Sequence, residues 1–450
     1  MKQTGRKMSG NRNNSENHSE QDRKLHVAFV IDSMDGGGAE LSVLTVIDSL
    51  LHKNHKIDLV LFKFRGKRLS QIPDGVNLFV LGQEFQQGHQ NERCSIPIDE
   101  IHWIRLPTGF KETINGLLSY FRSLKIKKKF LPPRRRHFYR VHSMSEYLKS
   151  QTPNLIVANS FPSCNISVLG RKLSFTDVPV VCSIRIDCLH SLDRKNRIYF
   201  NSLISYVQKI HSISQGLTDS VEKYMEANNL QAGQKGITTI YNGFNVERIL
   251  SLSGLPVQHD WFTGGGQFSD DVKTILAVGR LHYQKNFELL INAFSIVLKE
   301  SDTRLIILGQ GERRGKLENL VQELNIRHAV SMPGWVDNPY AFMARANLFV
   351  STSNTEGFHR GIAEAVICGC PVVSTDCPSG PSEILEGGIW GRLTPVNDQD
   401  ALVTAILESL NTETDRGALQ VRGKKFDINS IIQDYEELFH AVVDEFKSNP

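Results

Sequence analysis

Two glutamates eight positions apart, Glu356 and Glu364, stand in the stretch Ser351-Thr352-Ser353-Asn354-Thr355-Glu356-Gly357-Phe358-His359-Arg360-Gly361-Ile362-Ala363-Glu364-Ala365. That spacing alone arises by chance many times in a chain of 450 residues. The setting makes it chemical. Residues 347–353 read as a strand, Gly357 marks a loop, and a helical pattern follows over 361–368. Glu356 then lies on a loop after a strand and Glu364 in the first turns of the next helix, so both carboxylates can face one crevice. Carboxylates placed there suit the vicinal hydroxyls of a sugar or ribose. A second set, Gly279-Arg280-Leu281-His282-Tyr283-Gln284-Lys285-Asn286, puts Arg280 and Lys285 at the end of another strand. Two fixed cations at the carboxyl end of a doubly wound sheet can neutralise a diphosphate; solvated surface bases are the plainer reading. A third set runs from Asp32 through Ser33, Met34, Asp35, Gly36, Gly37 and Gly38 into a helix near Ala39. Glycines at such a turn admit a phosphate close to the backbone, and the helix offers free N–H groups. It is not a G-x-G-x-x-G pattern, and a flexible turn explains it equally well in isolation.

The elements that must position these residues come in two trains. Short β-branched runs recur at 25–33, 57–64, 76–81, 154–158, 178–184 and 237–241, then at 273–279, 303–309, 329–334, 347–353 and 371–376. They are apolar nearly throughout rather than alternating, as parallel strands covered on both faces require. Helical patterns separate them, among them 39–51, 215–227 and 286–300. The expected fold class is α/β: two Rossmann-like doubly wound domains facing a cleft. The expected division is a disordered tail at 1–22, a first domain at 23–250, a linker at 251–272, a second domain at 273–428, and a helix at 429–450. The pattern at 430–446 sets Ile431, Tyr435, Leu438, Phe439 and Val442 on one face.

Composition narrows the class. With 40% hydrophobic and 22% charged residues, the chain can build sizeable cores. No apolar run approaches the roughly 18 residues needed to span a bilayer, and residues 1–22 lack the apolar centre of a secretion signal. Seven cysteines without a Cys-x-x-Cys pair point to a reduced compartment and to no zinc site. The net charge of +4 hides a local excess, because residues 111–150 carry eleven Lys/Arg against two Glu. Within it, 124–140 interleaves bases with Leu124, Ile126, Phe130, Leu131, Phe138 and Tyr139, a composition suited to an anionic membrane surface. No nucleic-acid-binding motif accompanies it, so nucleic acid is not expected as a partner. Asp398-Gln399-Asp400 has the form of a metal-binding Asp-x-Asp but precedes a helical pattern, so Asp400 is expected in a cap or first turn.

Glu356-x7-Glu364 followed by Cys368-Gly369-Cys370-Pro371-Val372-Val373-Ser374-Thr375-Asp376 resembles the GT-B retaining glycosyltransferases of family 4. AVGRLHYQKNFELLINAF, LIILGQGERRGKLENL, MPGWVDNP, IYNGFN and GGGAE also match that family's motifs. The resemblance spans roughly residues 25–445 and is most specific over 273–396. It implies that Arg280 and Lys285 bind the donor diphosphate, that the loop Glu356, Gly357, Phe358 and His359 contacts the donor sugar, and that Glu364 binds the ribose. It further implies that Gly37 and Gly38 close over the phosphates and that Trp335 and Val336 lie near the base. The expected donor is a UDP-sugar, with no cofactor and no metal. The acceptor class is a glycan or a polyprenyl-diphosphate-linked saccharide, met at the inner face of the cytoplasmic membrane. The expected chemistry is attack on the donor from the face of the leaving diphosphate, which takes the acceptor's proton, with no protein nucleophile. Two departures stand out. Many members carry Pro and Asn where this chain has His359 and Arg360, either of which can add a phosphate contact. On the acceptor side, where the family often has a histidine, Arg185 is the candidate chosen from Asn159, Ser160, Arg185 and Asp187. By the same resemblance, the terminal helix is expected to pack back on the first domain. A nucleotide-sugar epimerase or a non-catalytic nucleotide-sugar-binding scaffold are the competing readings.

Overall fold

A computed structural model of the chain describes residues 23–35, 37–81, 100–104, 135–186, 200–201, 204–230, 236–262 and 272–448. Gly36, Asp187, residues 124–134 of the basic stretch and residues 263–271 of the expected linker lie outside the described residues. Among those described, no helix is long and apolar enough to cross a membrane.

The first sheet is made of β1 (His26–Ile31), β2 (Lys56–Leu61), β3 (Asn77–Leu81), β4 (His102–Ile104), β5 (Leu155–Ala158), β6 (Val180–Ile184), β7 (Lys209–Ser212) and β8 (Ile237–Thr239). Its order is β4-β3-β2-β1-β5-β6-β7-β8, and each pairing is parallel. The second contains β9 (Lys273–Val278), β10 (Thr303–Leu308), β11 (Val330–Gly334), β12 (Leu348–Ser351), β13 (Val372–Thr375) and β14 (Arg392–Thr394), in the order β11-β10-β9-β12-β13-β14 and again parallel. Ile57–Leu61, Leu155–Ala158 and Leu305–Leu308 are buried residue after residue, which is why these runs do not alternate. Strand order reverses between β1 and β5 in the first sheet and between β9 and β12 in the second. Such reversal points are where doubly wound sheets bind ligands.

Three short strands are absent from the sequence reading: β4, β7 and β14. In β7 only Ile210 is apolar. His211 is nevertheless buried because its Nδ1 meets Ser183 Oγ at 2.9 Å and its Nε2 meets the Ile240 carbonyl at 3.2 Å. The basic stretch also needs correction at its end. From Arg135 onward it is part of a helix, Arg135–Gln151, which buries Phe138, Val141, Met144 and Tyr147 in the first core. Arg140 is committed to that domain, 3.5 Å from Asp32 and over the Phe62 ring. Asp398 caps the helix Gln399–Leu410 by accepting from the Ala401 N–H at 2.9 Å, and Asp400 sits in its first turn.

After the second sheet the chain crosses back. The Phe244 N–H donates to the Phe426 carbonyl and the Ile428 N–H donates to the Phe244 carbonyl, both at 2.9 Å. The helix Ile428–Ser448 then lies in the core of the first domain, with Phe439 6.3 Å from Phe29 and Tyr435 buried beside His211. Its flank is fixed by Glu436, which meets Lys53 at 2.6 Å and His55 at 3.0 Å.

Candidate functional site

The reversal point of the second sheet carries the densest chemistry. Gly279 and Arg280 leave β9, and a single 3-10 turn, Tyr283–Lys285, returns the chain toward the loop after β12. The two loops are laced together. Thr352 Oγ1 donates to the carbonyls of Lys285 and Asn286, both at 3.0 Å, and Gln284 Nε2 donates to the Thr355 carbonyl at 2.7 Å. This lacing brings Lys285 Nζ to 2.6 Å from Glu356 Oε1. Burial pushes the Glu356 carboxyl up, but Lys285 and then His359 outweigh it and hold it below the usual carboxylate range. Glu356 is therefore an anion at neutral pH with one acceptor oxygen engaged by a cation. Arg280, by contrast, is exposed and has no side-chain partner among the described residues.

His359 is the N-cap of the helix Arg360–Ile367, held in the left-handed region at φ 61°. Its Nδ1 accepts from the Ile362 N–H at 3.3 Å, which assigns the ring proton to Nε2, 2.5 Å from Ser351 Oγ and 3.7 Å from Glu356. Burial, with Lys285 adding to it, pushes the imidazole down to about 4. His359 is thus a buried, neutral cap of this helix rather than a second cation beside Lys285. Arg360 instead spans the cleft. Its guanidinium donates to Ser42 Oγ at 2.9 Å and to Glu364 Oε1 at 3.1 Å, and covers the Phe244 ring at 4.1 Å. Glu356 and Glu364 therefore answer to different cations.

From the first domain, Gly37 and Gly38 present an exposed turn to this site. The Gly37 carbonyl accepts from Arg68 Nε at 3.2 Å, and a Cβ on Gly38 would come within 3.1 Å of Arg360 Cδ. Trp335 lies under the Lys67 ammonium at 4.8 Å, Lys67 also donates to Gln310 at 3.0 Å, and Val336 beside Trp335 is partly buried. Arg185 follows β6 and is buried, with Nε donating to Asn159 Oδ1 at 3.1 Å and Nη1 to Asn242 Oδ1 at 3.2 Å. A guanidinium keeps its protons, so Arg185 is a fixed cation and not an acid/base.

The docking of the domains is also built from residues the sequence reading missed. Ser214 Oγ donates to the Gly357 carbonyl at 2.6 Å. Glu383 accepts from the N–H groups of Gln215 at 2.6 Å and Gly216 at 3.0 Å, so a carboxylate of one domain caps a helix of the other. Ser214 and its following helix are visible as a cap signal, but the partner across the cleft is not. Gly357 is the tightest point, since a Cβ there would lie 2.2 Å from the Arg185 carbonyl oxygen. Gly357→Ala is expected to destabilise the protein by about 1–3 kcal/mol, because both clashing parts are backbone. Gly315→Ala, whose Cβ would meet nothing within 4 Å, serves as the control. Equal denaturation midpoints for the two variants would contradict this account.

Residues 264–426 match the model of the family described as glycosyl transferases group 1. Over 214 residues the chain is 31% identical to the N-acetylgalactosamine-N,N'-diacetylbacillosaminyl-diphospho-undecaprenol 4-alpha-N-acetylgalactosaminyltransferase of Campylobacter jejuni, covering 46% of this chain and 54% of that relative. Over 272 residues it is 25% identical to the lipopolysaccharide 1,6-galactosyltransferase of Escherichia coli, covering 59% and 68%. The chain thus spans about half the length of the Campylobacter relative. Among solved structures, Alr3699/HepE of Anabaena in complex with UDP-glucose superposes with a TM-score of 0.68 at 18% identity, covering 93% of this chain and all of that one. Sucrose-phosphate synthase of Thermosynechococcus elongatus gives 0.66 at 17%, covering 94% of this chain and all of that one. The fold is the two-domain GT-B arrangement.

Proposed function

We propose that this protein is a glycosyltransferase that moves a hexose or N-acetylhexosamine from a UDP-sugar to a glycan or lipid-linked saccharide, retaining anomeric configuration and using no metal. The observation that carries this reading is the Lys285–Glu356 pair at 2.6 Å on the reversal point of the second sheet. A cation and an anion in contact there match the two ends of a sugar diphosphate, with Arg280 as the second base for its phosphates. The printed names of relatives support the acceptor class: diphospho-undecaprenol saccharide, lipopolysaccharide, and poly(ribitol-phosphate) in Staphylococcus aureus. The UDP and UDP-glucose complexes of Alr3699/HepE support the donor.

In the proposed step, an acceptor hydroxyl oxygen bonds to the sugar C1 as the bond from C1 to the diphosphate breaks, on the same face. The hydroxyl proton passes to the departing phosphate oxygen. Arg280 and Lys285 stabilise the charge on that oxygen, Glu356 orients the sugar through its hydroxyls, and Glu364 receives the ribose. His359, neutral and fixed as a cap, keeps Glu356 in register without competing for phosphate. The enzyme would work at the inner face of the cytoplasmic membrane, held there by the bases at 124–134, since the helix from Arg135 onward buries Phe138 in the first domain.

A donor screen tests the reading. UDP- and GDP-sugars are offered to the whole chain with and without EDTA, following thermal shift and donor hydrolysis. Selective stabilisation by one UDP-sugar, unchanged by EDTA, is the expected result. No response to any nucleotide sugar would move the scaffold reading to the front, and conversion to a different sugar nucleotide without acceptor would establish an epimerase.

A further inference from the structure

The reversal point of the first sheet holds a cation that the donor chemistry does not use. Arg185 directly follows β6, Asn159 directly follows β5, and Asn242 lies three residues beyond β8. All three come from the carboxyl ends of their strands. The two asparagine side chains fix the guanidinium through Nε and Nη1, and neither of these hydrogen-bond partners is a carboxylate. Among the described residues, no carboxylate is in contact with the guanidinium. Burial pushes the guanidinium down from its usual range, Tyr435 opposes this, Arg360 reinforces it, and Glu40 opposes it weakly. Glu40 is itself pushed up by burial, and Glu364 is already bonded to Arg360. A buried cation held by two amides and a phenol, all of them neutral, is costly unless an anion completes it.

The position says which anion. Arg185 hangs from the first sheet, whereas Arg280 and Lys285 hang from the second and already match the two charges of a diphosphate. Gly357, next to the sugar-binding Glu356, lies against the Arg185 carbonyl, and Arg360, which bridges the cleft to Ser42, is near enough to act on the guanidinium, so Arg185 borders the cleft where sugar would be transferred. We infer that Arg185, clamped by Asn159 and Asn242, binds a phosphate group of the acceptor near its accepting hydroxyl. This rests on the transferase reading and names the acceptor class within it: a saccharide or polyol bearing phosphate. Arg185 acts by holding that group, not by moving a proton.

Asn159→Asp is the decisive variant, because it places a carboxylate on the Arg185 guanidinium with almost no change of shape. The whole chain, saturated with UDP, is titrated with inorganic pyrophosphate and followed by calorimetry. A second phosphate site, open to pyrophosphate while UDP fills the first, is expected in the wild type, weakened about tenfold or more in Asn159→Asp and Arg185→Gln, with UDP affinity unchanged. Asn159 Nδ2 also donates to the Val157 carbonyl at 3.1 Å, a bond that Asp loses, so a single cooperative melting transition in Asn159→Asp, whatever its midpoint, separates lost binding from lost folding. No second site, or one that Asn159→Asp leaves intact, overturns the inference. Weakened UDP binding in Asn159→Asp also overturns it, by assigning the cation to the donor. Failure of the wild type to bind UDP at all would instead overturn the transferase reading, and the acceptor assignment with it.

Discussion

Glu356→Gln lowers kcat by about a hundredfold or more while the protein stays folded and still binds UDP. The reasoning starts from shape. Gln fills the space of the carboxylate, so the laced loops after β9 and β12 keep their backbone contacts. What changes is charge: an anion held in contact with Lys285 becomes a neutral amide, and the strongest acceptor for sugar hydroxyls is lost. Lys285→Ala is harsher, because it removes the proposed diphosphate contact and leaves Glu356 buried without its cation. Breaking a buried pair in this way costs about 3–5 kcal/mol, toward the lower end here because the lysine keeps some exposure. The two variants then differ in their response to pH. In the wild type the carboxyl is depressed below its ordinary 4.5, so the pair stabilises the fold above that pH and the benefit fades as pH falls through the folded value. Without Lys285 the largest influence opposing burial is gone, and protonation then relieves the penalty. The gap in stability between wild type and Lys285→Ala should therefore narrow on acidification below pH of about 4.5. A kcat within twofold of wild type in Glu356→Gln would remove Glu356 from the chemistry.

The placement of Arg280, Lys285 and Glu356 was readable in the sequence because they follow the mainly apolar strands β9 and β12 within a few positions, while Glu364 was readable as part of the helix that comes next. The short strand β7 was not readable, since three of its four residues are polar and its burial depends on His211 finding Ser183 and the Ile240 carbonyl. The helix Phe161–Ser174 was hidden in the same way. It buries Ser163, Asn165 and Ser167, side chains that a hydrophobic pattern assigns to solvent. Contacts between the domains lie beyond a single sequence altogether. Nothing in the order of residues announces that Arg360 meets Ser42, that Trp335 lies under Lys67, or that Gly357 rests on Arg185. For that reason His359 and Arg360 looked alike on paper. In the fold one is a buried neutral cap and the other a bridge across the cleft.

Deleting the chain from Ile428 onward should cost the protein its first domain rather than a few degrees of melting temperature. The helix Ile428–Ser448 buries Ile428, Ile431, Ile432, Tyr435, Leu438, Phe439, Val442 and Val443 in the core around β1 and β2. At about 1.5–3 kcal/mol for each of these side chains, the loss matches or exceeds the roughly 5–15 kcal/mol by which domains are stable. The truncated chain is expected to be insoluble or to show the exposed apolar surface of a collapsed state. Phe439→Ala provides the graded version, with an expected cost of about 3–5 kcal/mol from the cavity left beside Phe29 and Tyr435. The geometry adds a functional consequence that simple loss of stability would not. The helix follows directly from the strand-like contact of Phe244 with Phe426 and Ile428, and a Cβ on Gly243 would stand 2.4 Å from Ile428 Cδ1. The last segment of the second domain is therefore pinned to the first domain at the same crossing that carries Asn242. Phe439→Ala, assayed well below its melting temperature, should raise KM for acceptor more than for donor, because the helix braces the sheet that holds Arg185. Equal changes in both KM values would reduce the helix to a structural strap, and a truncation at residue 428 with full activity and stability would deny it even that role.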